Sequence, residues 1–296
     1  MSGSPAFVHR LDESGTSAWI TIAWFVAFTL GLTGLFGGLM AYQGATPALL
    51  VTGVMWSPGL AAILTCVVLR RPVASLPWQW GAWHWILLAW LLPVAYGLAI
   101  YLPVWTLGLG GSGFGNEQTL ADWSLQLLGR DDASVYSSIA FVAMLATVGM
   151  VSSLARALGE EVGWRGFLIW ELRKVMPFGA VGLVSGLLWA IWHWPAILFT
   201  DYNAGEGSFL LQLFIFTMAI VPQGIVYAYF TFRSNSLWPA AVLHASHNLF
   251  IQRVFTPLTV RGDQTHLYID EFGIVMPILG SAMAFAFYLK GRAAGL

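Results

Sequence analysis

The sequence predicts an all-α, polytopic integral membrane protein of about eight transmembrane helices, with both termini in the cytoplasm. Its 296 residues include only 13 Lys and Arg and 14 Asp and Glu, so 9% are charged, against about 25% in ordinary soluble domains. Hydrophobic residues make up 58% and tryptophan occurs 16 times. So few charges could not cover a water-exposed surface without large apolar patches. The composition therefore excludes a soluble domain, a disordered chain and a nucleic-acid-binding protein, and indicates a lipid bilayer as the surroundings.

Eight apolar runs provide the expected helices. Each is close to the roughly 20 residues that cross a bilayer core. The runs are continuous and do not alternate with polar residues, so helices are favoured over the strands of a membrane barrel. The predicted spans are 18–40, 47–69, 83–101, 138–158, 178–199, 209–230, 237–255 and 273–289.

The flanking residues justify these elements in order. The first run follows a polar tail, 1–17, and is too long for a signal-peptide core, so we expect a retained helix. The second ends at two arginines, and the third begins in a tryptophan cluster, 78–85, typical of an interfacial aromatic belt. A connection, 108–137, that we expect to be an irregular loop separates the third run from the fourth. Arg173, Lys174 and Pro177 mark the turn between the fourth and fifth runs, and basic residues follow the sixth and eighth runs.

The basic residues predict the orientation. An even number of crossings puts both termini on one side, and ten basic residues then fall on that side against three on the other, Arg130, Arg253 and Arg261. The positive-inside rule therefore places both termini in the cytoplasm. We expect one transmembrane domain, 18–292, in the plasma (inner) membrane of a prokaryote.

The most informative residues are ionisable groups at membrane depth, because their burial there is expensive. Glu161 and Arg165 are four apart in the order that favours an ion pair on one helix face. Glu160 points about 100° away from Glu161 on a helix, so one acid can be paired while the other faces a cavity. Arg156 precedes Glu160 by four residues as well. The alternative without a functional site is a helix end at the membrane surface, where the charged side chains extend to the water.

Two further polar clusters lie in later spans. His193 follows Trp189 by four residues, and a lone histidine of this kind is often a hydrogen-bonded core residue. His244 and Asn248 are also four apart and share a helix face, whereas His247 lies about 60° away and need not join them. Two rings and an amide within one span are hard to explain as packing.

The chain geometry brings the clusters to one depth. In a helical hairpin centred near Met176, Glu160 and His193 are about equally far from the turn, provided that the fourth helix continues past Glu161. His244 and Asn248 would lie on the order of 16–22 Å from the last inner base before them. A carboxylate, two imidazoles and an amide at one buried level are typical of an acid–base site.

At these residues the sequence resembles the CPBP family of intramembrane proteases, which includes the type II CAAX prenyl endopeptidases and bacteriocin-processing, Abi-like members. The family carries Glu-Glu-x-x-x-Arg, Phe-x-x-x-His and His-x-x-x-Asn on successive core helices of an eight-helix fold. The first motif is complete from Glu160 to Arg165 and the third from His244 to Asn248, but Trp189 replaces phenylalanine in the second. The resemblance covers a core of about 138–255.

The resemblance implies roles for these residues. Glu160 would activate a water that His193 helps to hold, and His244 and Asn248 would stabilise the oxyanion. Glu161 and Arg165 would support the site, and Trp189 would shape the substrate pocket. The substrate would be a membrane-associated peptide or protein. The protein would also contact the lipid bilayer, and nucleic acid would not be a partner.

The sequence is consistent both with a metal-bound water and with a metal-free one. Glu160, His193 and His244 would supply three ligands to one divalent metal such as zinc, with water as the fourth. No His-Glu-x-x-His motif occurs, however, and the amide of Asn248 is a poor zinc ligand. A water activated by glutamate without a metal is equally consistent with the sequence.

Three other function classes compete with this interpretation. A rhomboid-like serine protease would use Ser185 with His244 or His247, but it leaves Glu160 and His193 unexplained. An aspartyl intramembrane protease fails, because the expected place of Asp263 and Asp270 is a loop. A non-catalytic immunity or binding protein, or a proton-coupled transporter, would also keep glutamates and histidines within the membrane.

Overall fold

A computed structural model describes residues 17–112, 117–130, 134–203 and 207–296. The polar tail predicted at 1–17 therefore lies almost wholly outside the described residues. The helices are α1 (Ala18–Gln43), α2 (Ala48–Val68), α3 (Trp83–Thr106), α4 (Glu117–Leu128), α5 (Val135–Arg173), α6 (Phe178–Phe199), α7 (Phe209–Ser234), α8 (Trp238–His247, continued by a π-helix, Asn248–Phe255) and α9 (Val275–Ala293). Short 3₁₀ turns occupy Val73–Ser75 and Thr265–Leu267, and two short strands are β1 (Gly111–Ser112) and β2 (Thr259–Val260).

Each of the eight predicted runs coincides with a helix. Among the described residues, six helices are long and apolar enough to cross a membrane, namely α1, α2, α3, α5, α6 and α7. The polytopic, helical membrane architecture is therefore confirmed. The count of eight spans and the cytoplasmic termini stay predictions, since α8 and α9 fall outside that set.

Helix α5 is longer than the predicted run 138–158. It spans 39 residues and contains two π-helical stretches, Leu145–Gly149 and Trp164–Leu168. The helix continues past the acidic pair because these charges are buried and paired inside the bundle instead of marking its end. π-helical turns occur frequently at functional sites, and the second stretch follows the glutamates directly.

The connection 108–137 was expected to be an irregular loop, but part of it has regular structure. It contains α4, which buries Leu120 and Trp123 on one face and exposes Leu125 on the other. It also contains β1, which pairs antiparallel with β2, Gly111 opposite Val260. The strand is too short, and the apolar residues of α4 too few, to stand out in a search for continuous apolar runs.

The helices define two ends of the bundle. At the end that carries residue 18 and the C-terminal residues, which we call the terminal end, Arg71 and Glu171 form a buried ion pair at 2.9 Å. Phe178 stacks there on Tyr288. At the other end, the distal end, Trp105 Nε1 donates to Thr259 Oγ1 at 2.9 Å. Helix α5 runs from the distal to the terminal end, and α8 runs the opposite way.

Close packing fixes α5 between α2 and α8. A Cβ atom added at Gly163 would lie 2.5 Å from the carbonyl carbon of Pro58, so only glycine allows this approach. On the other side, Ser153 Oγ donates to the carbonyl oxygen of Ala245 at 2.8 Å. These contacts position the acidic segment of α5 against the histidine segment of α8.

Candidate active site

The first predicted catalytic residue, Glu160, contacts the second motif directly. Its side chain is buried, and Oε2 accepts a hydrogen bond of 2.8 Å from Trp189 Nε1 on α6. Arg156, four residues before Glu160, forms no ion pair with it among the described residues: Glu160 bonds to the indole and Arg156 is exposed. One carboxylate oxygen is thereby held by a neutral donor.

The neighbouring Glu161 joins the first motif to the third. Its Oε1 accepts from Arg165 Nη1 at 2.8 Å and from His244 Nδ1 at 2.9 Å. The expected pair of Glu161 and Arg165 is confirmed, and both side chains are fully buried. Glu161 therefore acts as the link that orients the ring of His244 towards α5.

Arg165 lies between two aromatic rings. Its Cζ atom is 4.3 Å from the ring centre of Trp189 and 4.2 Å from that of Tyr227. Nε and Nη2 have no hydrogen-bond partner among the described residues. Ring faces attract such a cation electrostatically, so the two rings and Glu161 together balance the buried charge.

His193 also depends on Trp189. Its Nδ1 lies 2.8 Å from the carbonyl oxygen of Trp189. A carbonyl can only accept, so Nδ1 carries a proton and Nε2 is left as the nitrogen that can bind another group. The ring packs edge-on against Trp192.

Trp189 is the centre of the arrangement. The ring of His193 lies 5.6 Å from it and the ring of His244 5.3 Å, both in edge-to-face geometry. Its indole nitrogen bonds to Glu160. The predicted pocket residue thus contacts one residue from each motif, including both imidazoles.

All four predicted catalytic residues line one cavity of about 400 Å³: Glu160, His193, His244 and Asn248. The cavity lies within the bundle, and its wall extends towards the distal end. Thr46, Asp201 and Arg253 contribute to the wall at that end and are exposed. The convergence predicted from the chain geometry is therefore borne out, although the catalytic roles stay predictions.

A second polar cluster on the same wall was missed by sequence reasoning. Glu271 accepts hydrogen bonds from His247 Nε2 at 2.9 Å, Tyr202 Oη at 2.6 Å and Gln252 Nε2 at 3.1 Å. The other ring nitrogen of His247 bonds to the hydroxyl of Tyr96. The signal in the sequence was an adjacent acid pair, Asp270 and Glu271, in a short connection before an apolar helix.

The two acids of this connection have opposite pKa shifts. Burial, and after it the charge of Glu271, raise the pKa of Asp270 to about 6. Burial also acts to raise the pKa of Glu271, but the hydrogen bonds and charge of His247 outweigh it and lower the pKa to about 2. Burial and the charge of Glu271 raise the pKa of Tyr202 well above its ordinary value, so its hydroxyl keeps the proton that it donates.

The described residues do not form a ready-made metal centre. No group of three His, Cys, Asp or Glu side chains among them is arranged to hold a metal ion. Nδ1 of His193 and Nδ1 of His244 are both engaged by protein groups. Bonds of this kind leave Nε2 of each ring available to a ligand, but Glu160, His193 and His244 do not form a preformed metal site among the described residues.

The residues that a serine or an aspartyl protease would use do not come together as such a site. Ser185 is buried, and its hydroxyl has no hydrogen-bond partner among the described residues. His244 and His247 bond to glutamates instead. Asp263 and Asp270 lie outside the helices, in the connection before α9.

Comparisons with known proteins agree with this geometry. Residues 140–250 match the family model "Type II CAAX prenyl endopeptidase Rce1-like". The central segment is Rce1-like. All three motifs of the site fall within this Rce1-like segment, and the resemblance to the CPBP proteases is thereby confirmed.

One curated relative also matches. The CAAX prenyl protease 2 of Methanococcus maripaludis is 28% identical over 100 residues, which are 32% of this chain. The aligned residues cover 36% of that protein, so the match spans about a third of the relative's length.

Proposed function

We propose that the protein is an intramembrane endopeptidase that hydrolyses a peptide bond with a water activated by Glu160. The observation that carries the proposal is the convergence of Glu160, His193, His244 and Asn248 on one cavity inside a helical membrane bundle. A carboxylate, two rings and an amide around a cavity can supply a base, a water-holding group and oxyanion donors. The Rce1-like segment supports this reaction class.

In the first step Glu160 removes a proton from water. Trp189 engages Oε2 of the carboxylate, so Oε1 is the oxygen that takes the proton. Nε2 of His193 accepts a hydrogen bond from the same water and orients it, because Nδ1 is already committed. The water oxygen then forms a bond to the carbonyl carbon of the peptide.

The resulting oxyanion needs hydrogen-bond donors. The amide of Asn248 supplies one and Nε2 of His244 the other. Nδ1 of His244 already donates to Glu161, so Nε2 can donate only when the ring carries both protons. Such preorganised donors commonly contribute a factor of roughly 100 to 1,000 in rate each.

Collapse of the intermediate completes the reaction. The carbonyl re-forms as the bond to the leaving nitrogen breaks. Glu160 returns its proton to that nitrogen, which leaves as an amine, and the other product leaves as a carboxylic acid that releases the second proton of the water to solvent. Glu160 thus serves as base and then as acid, and the site is restored.

The proposed substrate is a membrane-associated peptide or protein, and nucleic acid is not a partner. The relative from Methanococcus maripaludis is named a CAAX prenyl protease, but the substrate class of this chain remains a proposal. We further propose a prokaryotic plasma membrane with cytoplasmic termini. The distal end of the cavity would then face away from the cytoplasm.

A peptide-cleavage assay tests the function. Purified protein in nanodiscs is incubated with a proteome-derived peptide library, and products are identified by mass spectrometry. Glu160→Gln should abolish cleavage while the thermal unfolding midpoint stays close to that of the unchanged protein. Glu271→Gln, on the same wall, serves as the control for general damage to the cavity. Full activity of Glu160→Gln would rule out the proposed base.

The zinc hypothesis requires a separate measurement. Active protein is treated with a chelator and analysed for its metal content and its peptidase activity together. Activity without stoichiometric metal supports the glutamate-activated water. Loss of activity that only added zinc restores would support Glu160, His193 and His244 as ligands.

One observation favours a second candidate, a proton-coupled transporter. Tyr96, His247, Glu271 and Tyr202 form a continuous hydrogen-bonded chain, and proton relays within membranes use such chains. Transport would be favoured if the unchanged protein carried protons across proteoliposome membranes, Glu271→Gln abolished this flux, and no peptide were cleaved.

A further inference from the structure

Two arginines on the cavity wall have no ion-pair partner among the described residues. Arg156 and Arg253 both line the cavity and are exposed. The ion pairs of the described part of the chain involve other cations. Neither the base of the proposed reaction nor its oxyanion donors include these guanidinium groups.

Their register relates them to the catalytic residues. Arg156 precedes Glu160 by four residues, one turn of α5 and about 6 Å along the helix. Arg253 follows Asn248 by five residues within the π-helix Asn248–Phe255, where residues five apart are bonded along the chain. Each arginine therefore lies about one turn from a residue of the proposed catalytic machinery.

Arg156 is displaced from Glu160 in the same direction as Arg253 is from Asn248. Helix α5 runs towards the terminal end, so Arg156 is nearer the distal end than Glu160. Helix α8 runs the other way, so Arg253 is also nearer the distal end than Asn248. Both arginines therefore lie on the distal side of the catalytic residues along the wall of one cavity, and we call the two guanidinium groups the cationic layer.

The acids near this layer do not neutralise it. Glu160 bonds to the indole of Trp189, and Glu271 is engaged by three donors. Asp201 lines the cavity and is exposed, but forms no ion pair among the described residues. The layer therefore offers two arginines to a ligand, with one exposed aspartate nearby.

We infer that Arg156 and Arg253 form a subsite for a carboxylate of the substrate, an inference that rests on the proposed endopeptidase function. Guanidinium groups bind carboxylates through paired, charge-assisted hydrogen bonds. An extended peptide advances about 3.3 Å per residue, so the carboxylate lies about two residues from the scissile bond. It belongs to an acidic side chain or to the free C-terminus of the substrate.

Peptide binding tests the subsite without cleavage. The protein carries Glu160→Gln, is held in phosphatidylcholine nanodiscs, and is titrated with a fluorescein-labelled heptapeptide of leucine and alanine. The two peptides of the first pair differ only at the C-terminus, which is a carboxylate in one and an amide in the other. A second pair, both amidated, has one internal glutamate or one internal glutamine. Fluorescence anisotropy gives the Kd of each.

We expect the carboxylate peptide of at least one pair to bind about tenfold more tightly than its amide partner. Arg156→Gln and Arg253→Gln should each remove most of this preference. Arg130→Gln, which changes an exposed distal arginine that does not line the cavity, should retain it. The pair that shows the preference identifies the source of the carboxylate.

Several outcomes would overturn the inference. These are equal binding within both pairs, no binding of any of the four peptides, or a preference that survives both cavity substitutions. If the arginines instead hold lipid phosphates, their substitution would leave the preference intact and change only the dependence of thermal stability on anionic lipid. Cleavage by the protein with Glu160 intact is measured separately, so binding without cleavage would refute the protease and leave the subsite standing.

Discussion

Trp189 Nε1 donates a hydrogen bond of 2.8 Å to Glu160 Oε2, and this contact joins the second motif to the proposed base. The phenylalanine of the CPBP pattern has no donor with which to make it. The aromatic replacement in this chain therefore adds a hydrogen bond to the carboxylate as well as changing the pocket shape.

Trp189→Phe should lower kcat while leaving KM within about twofold, because it removes a donor that orients the base but keeps the ring. A hydrogen bond to a charged group contributes about 1.5–3 kcal/mol, which corresponds to a loss of about tenfold to a hundredfold in rate. Trp192→Phe is the matched control, since its indole bonds to Thr33 instead. Equal kinetics for the two variants would contradict the role of the indole.

His244→Asn should separate the structural and catalytic functions of the ring. The asparagine amide can replace Nδ1 as donor to Glu161, so thermal unfolding should change little. It cannot replace Nε2, so kcat should fall by a factor of roughly 100 or more. A variant that unfolds readily but keeps its rate per folded molecule would show that His244 only supports the fold.

Arg165→Lys should destabilise the protein despite retaining the charge. The guanidinium carbon lies over the rings of both Trp189 and Tyr227 while the group bonds to Glu161, and a compact ammonium cannot make all of these contacts. Loss of a buried charged partner costs about 3–5 kcal/mol, so the lysine variant should lose a substantial part of that. Thermal unfolding in detergent measures the effect, with Arg173→Lys on the same helix as control. An unchanged midpoint would contradict the importance of the stacking.

Asp270→Asn should stabilise the protein above neutral pH. The pKa of Asp270 is raised to about 6, above the value of about 3.9 in unfolded chains. Its charge therefore opposes folding fully above pH 6, and the penalty fades as the pH falls towards 4. Asparagine keeps an oxygen that can accept from the Glu271 amide and tolerates the left-handed backbone at this position (φ 67°).

Thermal unfolding at about pH 8 and about pH 4.5 checks this prediction, because the stabilisation should be present at the first and small at the second. Glu271 does not disturb the comparison, since its pKa lies near 2 and it stays ionised throughout. Asp263→Asn, at an exposed position of the same connection, is the control. A stabilisation of equal size at both pH values would contradict the assignment.

Cysteine labelling should show which side of the membrane the cavity faces. Cys66 is buried and is replaced by alanine, and single cysteines are placed at Thr46, at Asp201 and at Arg292. With cytoplasmic termini, a membrane-impermeant maleimide should label the first two positions in intact bacterial cells. The third should react only after permeabilisation. The reverse pattern would refute the predicted orientation.

The sequence predicted much of the site because charge is scarce in this chain. Against an apolar background, Glu160, Glu161, Arg165 and the histidines are conspicuous, and helical periodicity predicted which of them share a face. The pairing of Glu161 with Arg165 depends only on local spacing, and it was correct. Arg156 and Glu160 have the same spacing but form no ion pair, and an indole from another helix bonds to the carboxylate instead.

Long-range contacts account for what was missed. Glu271 precedes the last helix in a short connection, and nothing nearby in the sequence indicates that Tyr202, His247 and Gln252 donate to it. The same holds for the two rings around Arg165, of which Tyr227 lies 62 positions further along. Such partners are set by how helices cross, and apolar runs carry no information about which faces meet.

The sequence by itself determined the solvent, the helical membrane architecture, and the residue types of the site with their approximate depth. Hydrophobicity and the length of an apolar run act locally, so they can be read along the chain. Only the tertiary structure decided which oxygen of which glutamate is engaged, that Trp189 contacts both imidazoles, and that Arg156 and Arg253 line the same cavity. Those facts depend on the packing of α5, α6 and α8, where glycine contacts and single hydrogen bonds set the register between helices.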